Sequence, residues 1–192
     1  MLPNPDATPR YTGQPLWDYF IIAHPDDDAL EQIRKEGAFL MSAQPAKPHL
    51  ALAYFQAKEA MEEILIRWIQ NICRLHPCFT VTLLPFNGSI PRTIALRVED
   101  PKPFMQLANS LRIIDGFIQS NDCPPLCIET HPHLALAGNL PEMEYEKLIR
   151  EYGGRNFRTS FSLERLLLIK REGPSGNSRL LNSFTLSGSH PN

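Results

Sequence analysis

The sequence lacks the long apolar runs, cysteine motifs and charge excess that identify several common classes of protein. No stretch of the 192 residues approaches the roughly 18 apolar residues of a membrane-spanning helix. The first residues, MLPNPDATPRYTGQP, contain no apolar segment of the kind found in a signal peptide. The net charge is −2, which argues against a broad basic surface for a long nucleic-acid duplex. We therefore expect a cytoplasmic protein that binds neither a membrane nor a long duplex.

Cysteine is scarce, and its spacing does not indicate a metal site. The four cysteines, Cys73, Cys78, Cys123 and Cys127, form no CxxC pair, so a zinc knuckle is only weakly supported. We expect reduced thiols that pack as small apolar groups. Hydrophobic residues make up 43% of the chain, which is normal for a folded globular protein.

Histidine is also rare, yet it stands at the head of the same five residues twice. The stretch HLALA begins at His49 and again at His133, and the chain has only six histidines. Hydrophobic periodicity and turn residues predict strand–helix–strand–helix–strand around each copy, with one extra strand at the end. The predicted strands are 17–24, 48–55, 78–86, 92–99, 132–139, 157–172 and 179–187, and the predicted helices are 25–40, 57–72, 101–120 and 141–152, with a turn at Asn87-Gly88.

This repetition predicts a duplicated, two-lobed domain over residues 17–187. The lobes are expected at about residues 17–91 and 92–187, with a flexible arm at 1–16 and a tail at 188–192. The HLALA segment is the middle strand of each lobe, so the two copies occupy equivalent positions. Because one chain supplies both lobes, we expect a monomer.

Alternation along an HLALA strand separates the histidine from the leucines. His49, Ala51 and Ala53 share one face, whereas Leu50, Leu52 and Tyr54 share the other. The leucines are expected to enter the core. If the lobes pack about an approximate twofold axis, the two histidines meet across one groove. Two such imidazoles can act as paired acid and base near neutral pH, which phosphodiester cleavage requires.

The two strands, KPHLALAYF and HPHLALAG, resemble those of the two-histidine (2H) phosphoesterase superfamily, which includes 2′-5′ RNA ligase-like proteins and cyclic phosphodiesterases. The resemblance covers residues from about 17 to 187. It implies a bilobal α+β, LigT-like fold with two antiparallel sheets flanking a central groove and helices outside. It also implies a metal-independent phosphodiesterase or 2′-5′ RNA ligase-type activity without a cofactor, acting on a small cyclic phosphate, a 2′-5′ linkage or an RNA end.

Carried over position by position, the resemblance assigns the catalytic roles to His49 and His133. Ala51 and Ala135 stand where the family has the Thr or Ser that holds the phosphate oxygens, and alanine has no donor. We therefore expect weakened activity. Relatives often carry a cation where this chain has Gly138. The remaining candidates for substrate binding are Lys47, Arg92 and Tyr54.

Three alternatives remain open. The stretch IIAHPDDDAL resembles the zinc motif of PIG-L/LmbE-like deacetylases, in which His24, Asp26 and Asp27 would take the ligand and base positions. Zinc could instead be held by His131 and His133 together with His49. The third alternative is a non-catalytic module that binds a nucleotide or another anion in the same groove.

Overall fold

The computed structural model describes residues 14–42, 48–85, 92–173 and 176–188. The described strands are β1 (Leu16–Ala23), β2 (Leu50–Lys58), β3 (Phe79–Pro85), β4 (Ile94–Val98), β5 (Cys127–Ile128), β6 (His133–Ala137), β7 (Thr159–Leu163), β8 (Arg165–Arg171) and β9 (Ser178–Thr185). The described helices are α1 (Asp27–Ser42), α2 (Glu62–Leu75), α3 (Lys102–Ser110), α4 (Asp115–Gln119) and α5 (Glu142–Tyr152).

The strands form one antiparallel sheet in the order β7-β3-β4-β6-β2-β1-β8-β9, with β5 paired to β2. We call β2-β1-β8-β9 the first half-sheet and β7-β3-β4-β6 the second half-sheet. The two halves join at the pair Leu50↔Leu134 between β2 and β6. The order is symmetric about this central pair, since β1 and β4 flank it and β8 and β3 come next. The predicted α+β, LigT-like architecture is confirmed.

Each half-sheet contains strands from both halves of the chain. Strand β3 pairs with β4 and β7 in the second half-sheet, whereas β8 pairs with β1 in the first. A sequence boundary near residue 91 therefore does not coincide with a boundary in the sheet.

The helices cover one face of the sheet, and the HLALA leucines lie beneath them. Leu50, Leu52 and Leu134 are completely buried, and Leu136 is 6% exposed. Helices α2 and α3 contact strands of the first half-sheet, and α1 and α5 contact strands of the second. Burial of these leucines confirms the prediction that they enter the core.

Two predicted elements are discontinuous. The helix predicted over 101–120 is α3, a 3₁₀ turn at Leu111–Ile114 and then α4. Its predicted apolar face is nevertheless buried as a whole: Phe104, Leu107, Leu111, Ile114 and Ile118. Periodicity identified the face but not the break, because i,i+3 and i,i+4 spacings keep side chains on the same side. The strand predicted over 157–172 is β7 and β8, which separate at Glu164 and enter opposite half-sheets.

Other differences concern the ends of elements. Ala57, expected at the start of a helix, belongs to β2, and α2 begins at Glu62 after a 3₁₀ turn at Glu59–Met61. The short strand β5 was not predicted, and the expected turn at Asn87-Gly88 lies outside the described residues. No helix in the described ranges is long and apolar enough to span a membrane.

The four cysteines are free thiols in differing environments. Cys73 and Cys123 are buried, Cys78 is half-buried and Cys127 is exposed. Burial raises the pKa of Cys73 to about 12 and also raises the pKa of Cys123. The expectation of thiols that pack as small apolar groups therefore holds for the two buried cysteines and is wrong for Cys127.

Candidate active site

The two HLALA histidines lie on adjacent central strands and on the same face of the sheet. The pair Leu50↔Leu134 places residue 49 opposite 135 and residue 51 opposite 133. Both leucines face the helices, so their neighbours along each strand face the other way. We call this surface, defined by His49, Ala51, His133 and Ala135, the groove face. His49 and His133 are thus diagonal neighbours, which lie about 7–8 Å apart in a regular antiparallel pair, with their Cβ atoms somewhat closer.

The ring of His133 is oriented by the backbone that precedes it. Its Nδ1 is 2.8 Å from the carbonyl oxygen of His131. A carbonyl only accepts, so Nδ1 carries the hydrogen and donates it. The neutral ring therefore has its lone pair on Nε2, the atom that can take or give a proton. His133 is half-buried at the first position of β6.

His49 is exposed and lies one residue before β2, next to a third histidine. His24 follows the last residue of β1, and the ring centroids of His24 and His49 are 6.1 Å apart with the planes at 79°. Nδ1 of His24 donates to the carbonyl of Pro48 over 2.9 Å. The groove face therefore brings together three imidazoles, of which the sequence identified two as catalytic candidates.

The side chains next to the histidines on the groove face are small. Ala51 and Ala135 are half-buried on the groove face. Ala135 also pairs with Ala95 on β4, so methyl groups occupy adjacent positions across the strands. These side chains supply no hydrogen-bond donor to a phosphate.

Tyr54 reaches the groove face because of a bulge in β2. Ile22 pairs with Ala51 and Ile21 pairs with Ala53, so Leu52 is an extra residue in β2. The bulge reverses the alternation beyond it, and Tyr54 shares the face of Ala51. The predictions that Tyr54 lies on the leucine face and Ala53 on the histidine face are therefore wrong, because alternation assumes a regular strand.

Tyr54 takes part in a polar cluster built around Asp18. Its hydroxyl donates to Asp18 Oδ1 over 2.8 Å, Gln56 donates to the same oxygen over 3.0 Å, and Arg171 lies 3.5 Å from Oδ2. Burial raises the pKa of Asp18, but the hydrogen bonds from Gln56 and Tyr54 and the charge of Arg171 outweigh this effect, so the pKa lies below its usual value. Burial and the neighbouring Asp18 raise the pKa of Tyr54.

Lys47 and Arg92 are the two cations that the sequence predicts to bind substrate. Lys47 lies outside the described residues. Arg92 has a left-handed backbone with φ of 55°, and its Nε donates to the carbonyl of Leu140 over 2.8 Å. Leu140 N in turn donates to the carbonyl of Arg92. These contacts hold the start of β4 to the loop after β6, and a role of Arg92 in substrate binding stays a prediction.

Arg97 is a cation on the groove face that the sequence prediction missed. It pairs directly with His133 across β4 and β6, and it is exposed. Its side chain makes no hydrogen bond or ion pair with another residue of the described ranges. Alternation within IALRV assigns Arg97 to the face opposite Leu96, but the strand partner could not be read from the sequence.

A cavity of about 530 Å³ lies beside His24. It lies between the β1–α1 connection and the corner at Glu164, and its lining consists of His24, Pro25, Asp26, Asp27, Ser162, Glu164, Arg165 and Leu167. His24 lines the cavity and its ring contacts that of His49, so the cavity lies next to the groove face.

Comparison with known proteins identifies the family of this chain. The family profile described as "2'-5' RNA ligase superfamily" matches residues 23–175. The chain belongs to this superfamily. The resemblance to 2H phosphoesterases is thereby confirmed, and the superfamily profile covers both HLALA strands. A search of curated proteins finds no match.

Solved structures show the same fold as this member of the 2'-5' RNA ligase superfamily. A crystal structure of E. coli LigT with 3'-AMP is 21% identical, with a TM-score of 0.64 over 90% of this chain and 99% of that chain. A structure described as a phosphoesterase is also 21% identical, with a TM-score of 0.62 and the same coverages. The protein TT0787 of Thermus thermophilus is 19% identical, with a TM-score of 0.59 over 90% of this chain and all of that chain.

The HPDD stretch of this superfamily member joins a strand to a helix. Asp26 Oδ1 accepts a hydrogen bond from Ala29 N over 2.8 Å, which caps α1, and Asp27 lies in its first turn. Nδ1 of His131 is bonded to the Thr130 hydroxyl. Within the described ranges, no three His, Cys, Asp or Glu side chains gather as metal ligands. Neither zinc alternative has support from these positions.

Proposed function

We propose that this protein is a metal-independent phosphodiesterase or 2′-5′ RNA ligase-type enzyme in which His49 and His133 act as general acid and base. The single observation that carries the proposal is the β2–β6 pairing, because Leu50↔Leu134 puts both histidines on one open face. Membership of the 2'-5' RNA ligase superfamily supports the reaction class.

The chemistry needs two proton transfers around one phosphorus atom. One imidazole takes a proton from the attacking water or hydroxyl, whose oxygen forms a bond to phosphorus. The bond from phosphorus to the leaving oxygen breaks, and the second imidazole protonates that oxygen. With a 2′,3′-cyclic phosphate and water, the product is a phosphomonoester. Our proposal leaves the initial base unassigned between His49 and His133.

Arg97 supplies a positive charge that can bind the phosphate, whereas Ala51 and Ala135 have no hydroxyl group to donate to it. Arg97 lies opposite His133, is exposed and has no side-chain partner within the described ranges. Its guanidinium is therefore available for a phosphate oxygen. A guanidinium binds phosphate through two parallel N–H donors. Lys47, Arg92 and Tyr54 are additional proposed contacts to the substrate.

A small nucleotide or an RNA end is the proposed ligand. E. coli LigT, which shares the fold, has been crystallised with 3'-AMP, ATP and phosphate. One chain supplies both histidines, so we propose a monomer built from a single two-lobed domain over residues 17–187.

A binding module on the same groove is the second candidate. The observation that favours it is the presence of alanine at both positions 51 and 135. A hydrogen bond to a charged group contributes about 1.5–3 kcal/mol, so each missing hydroxyl could lower the rate on the order of ten- to a hundredfold. Such a protein would retain nucleotide binding with negligible turnover.

The test measures turnover of 2′,3′-cyclic nucleotides and 2′-5′-linked dinucleotides with EDTA present. We expect wild type to be active and His49→Ala and His133→Ala each to lose at least about a hundredfold in kcat, as removal of a general acid or base does. His76→Ala is the control, because this histidine lies at the end of α2 and bonds to Ser110.

Three results would contradict the proposal in different ways. Nucleotide binding without turnover would favour the binding module. Activity that EDTA abolishes and zinc restores would favour metal-dependent chemistry. Activity retained in both histidine variants would exclude the acid–base pair.

A further inference from the structure

His24 is a histidine of the groove face to which the proposed acid–base pair gives no role. It is half-buried at the end of β1, contributes to the 530 Å³ cavity and contacts His49 edge-on. Asp26 and Asp27 are accounted for by the start of α1. The histidine of the HPDD stretch therefore requires a separate explanation.

The ladder between β1 and β2 ends just before the histidines. Its last pair is Ala23↔Leu50, so continuing the register places His24 opposite His49 and Pro25 opposite Pro48. Proline has no backbone N–H to donate, so Pro25 cannot bond to the carbonyl of Pro48. The ring of His24 supplies the missing donor, since its Nδ1 bonds to that carbonyl over 2.9 Å.

His49 lies outside a regular strand and depends on neighbouring contacts for its orientation. His133, by contrast, is inside β6 and pairs with Arg97 on β4. A His24 bond to Pro48 fixes the peptide directly before His49, and the His24 ring lies 6.1 Å from the His49 ring at 79°. The same side chain therefore restrains both the backbone and the ring of His49.

We propose that His24 is a positioning residue that holds His49 in the orientation needed for proton transfer. The inference rests on the proposed function, because it assigns His24 a task in the same acid–base reaction. A misplaced acid or base lowers the rate of the chemical step more than it lowers binding of the substrate. Loss of His24 is therefore expected to lower kcat and leave KM nearly unchanged.

Three substitutions separate the hydrogen bond from the ring. His24→Asn keeps an N–H donor near the position of Nδ1, His24→Phe keeps a ring without a donor, and His24→Ala removes both. We expect kcat to fall about tenfold in His24→Phe and more in His24→Ala, with KM within about twofold of wild type. His24→Asn is expected to recover most of kcat. His76→Ala serves again as the histidine control.

Two results in active protein would overturn the inference. One is equal kcat in wild type and all three variants. The other is a kcat for His24→Asn as low as that for His24→Phe, because the donor would then have no role. A purely structural role would lower the thermal midpoint of unfolding of His24→Phe and leave kcat of the folded protein unchanged.

A measurement that needs no turnover keeps this inference separate from the proposed function. If wild type cleaves no phosphodiester, the proposed function fails, and His24 is judged from the NMR Hε1 signal of His49. We expect one sharp signal in wild type and His24→Asn, and a shifted, exchange-broadened signal in His24→Phe. An unchanged signal in every variant would show that His24 does not position His49.

Discussion

On the groove face, the neighbours of His49 and His133 across the strands are small side chains and one arginine. Ala51, Ala95 and Ala135 present methyl groups across adjacent strands of the groove face, while Arg97 lies opposite His133. The superfamily pattern expects hydroxyl groups at positions 51 and 135. The composition of the surface therefore predicts binding of phosphate mainly by charge, with few directional hydrogen bonds to its oxygens.

Restoring the hydroxyl groups provides a direct test at the residue scale. We expect the double variant Ala51→Thr, Ala135→Thr to raise kcat/KM for a cyclic nucleotide about tenfold or more, because threonine suits a strand and can donate to a phosphate oxygen. Steady-state kinetics measure the change, and circular dichroism checks the fold. No gain in a folded double variant would show that the alanines do not limit the rate.

Arg97→Ala is compared in wild type and in the double-threonine variant. If the charge of Arg97 substitutes for the absent hydroxyl groups, this substitution will reduce kcat/KM more in wild type, which has both alanines, than in the double-threonine variant. The four proteins form a double-mutant cycle, which isolates the coupling between these neighbouring positions. Equal losses of kcat/KM in both proteins would show that the charge of Arg97 does not substitute for the absent hydroxyl groups.

At the scale of elements, the bulge in β2 connects the histidines to the Asp18 cluster. The extra residue Leu52 turns Tyr54 toward the groove face, where its hydroxyl bonds to Asp18 on β1. Arg171 on β8 completes the cluster. Three adjacent strands are thus linked by one carboxylate that is almost fully buried, at 5% exposure.

The lowered pKa of Asp18 predicts how stability depends on pH. A carboxyl group whose pKa is lower in the folded state stabilises the fold above its unfolded pKa of about 3.9, and this contribution disappears as the pH falls through the folded pKa. We expect Asp18→Asn to reduce the free energy of unfolding by roughly 1–2 kcal/mol near pH 7, with the difference from wild type vanishing in acid. Urea denaturation between pH 2 and 7 measures it.

Glu146→Gln is the control for this prediction, because Glu146 is exposed on α5. Its effect on the free energy of unfolding should stay within about 0.5 kcal/mol at every pH. A difference between wild type and Asp18→Asn that does not change with pH would mean that the charge of Asp18 contributes nothing to folding.

At the scale of the whole molecule, the groove depends on the junction between the half-sheets. The described ladder between β2 and β6 has the single pair Leu50↔Leu134, and both leucines are completely buried. The connection from β7 to β8 at Glu164 provides a second link, because these strands belong to opposite halves. Shared packing beneath this junction implies that both halves unfold together.

Leu134→Ala tests the junction. We expect a loss of about 2–5 kcal/mol in the free energy of unfolding, since a buried leucine is replaced by a cavity. Unfolding should remain a single transition, as followed by fluorescence and circular dichroism. Leu75→Ala, at a side chain that is 82% exposed, should change the free energy by less than about 0.5 kcal/mol. Two separate transitions would show that the half-sheets are independent units.

The sequence by itself determined the repeated elements, the buried leucines and the pair of histidines, because periodicity and a duplicated motif are local properties of the chain. The two HLALA strands were also enough to indicate the superfamily. Prediction failed where strand pairing decides the structure. At Glu164, one continuous apolar pattern divides into β7 and β8, which lie in different half-sheets. At Leu52, a bulge in β2 turns Tyr54 to the groove face.

Only the tertiary structure placed Arg97 opposite His133 and His24 against His49. Both contacts join residues distant in sequence, and they depend on the register of strand pairing and on how β1 and β2 end. Register is decided by the packing of whole strands against the core, and a pattern along one strand does not contain that information.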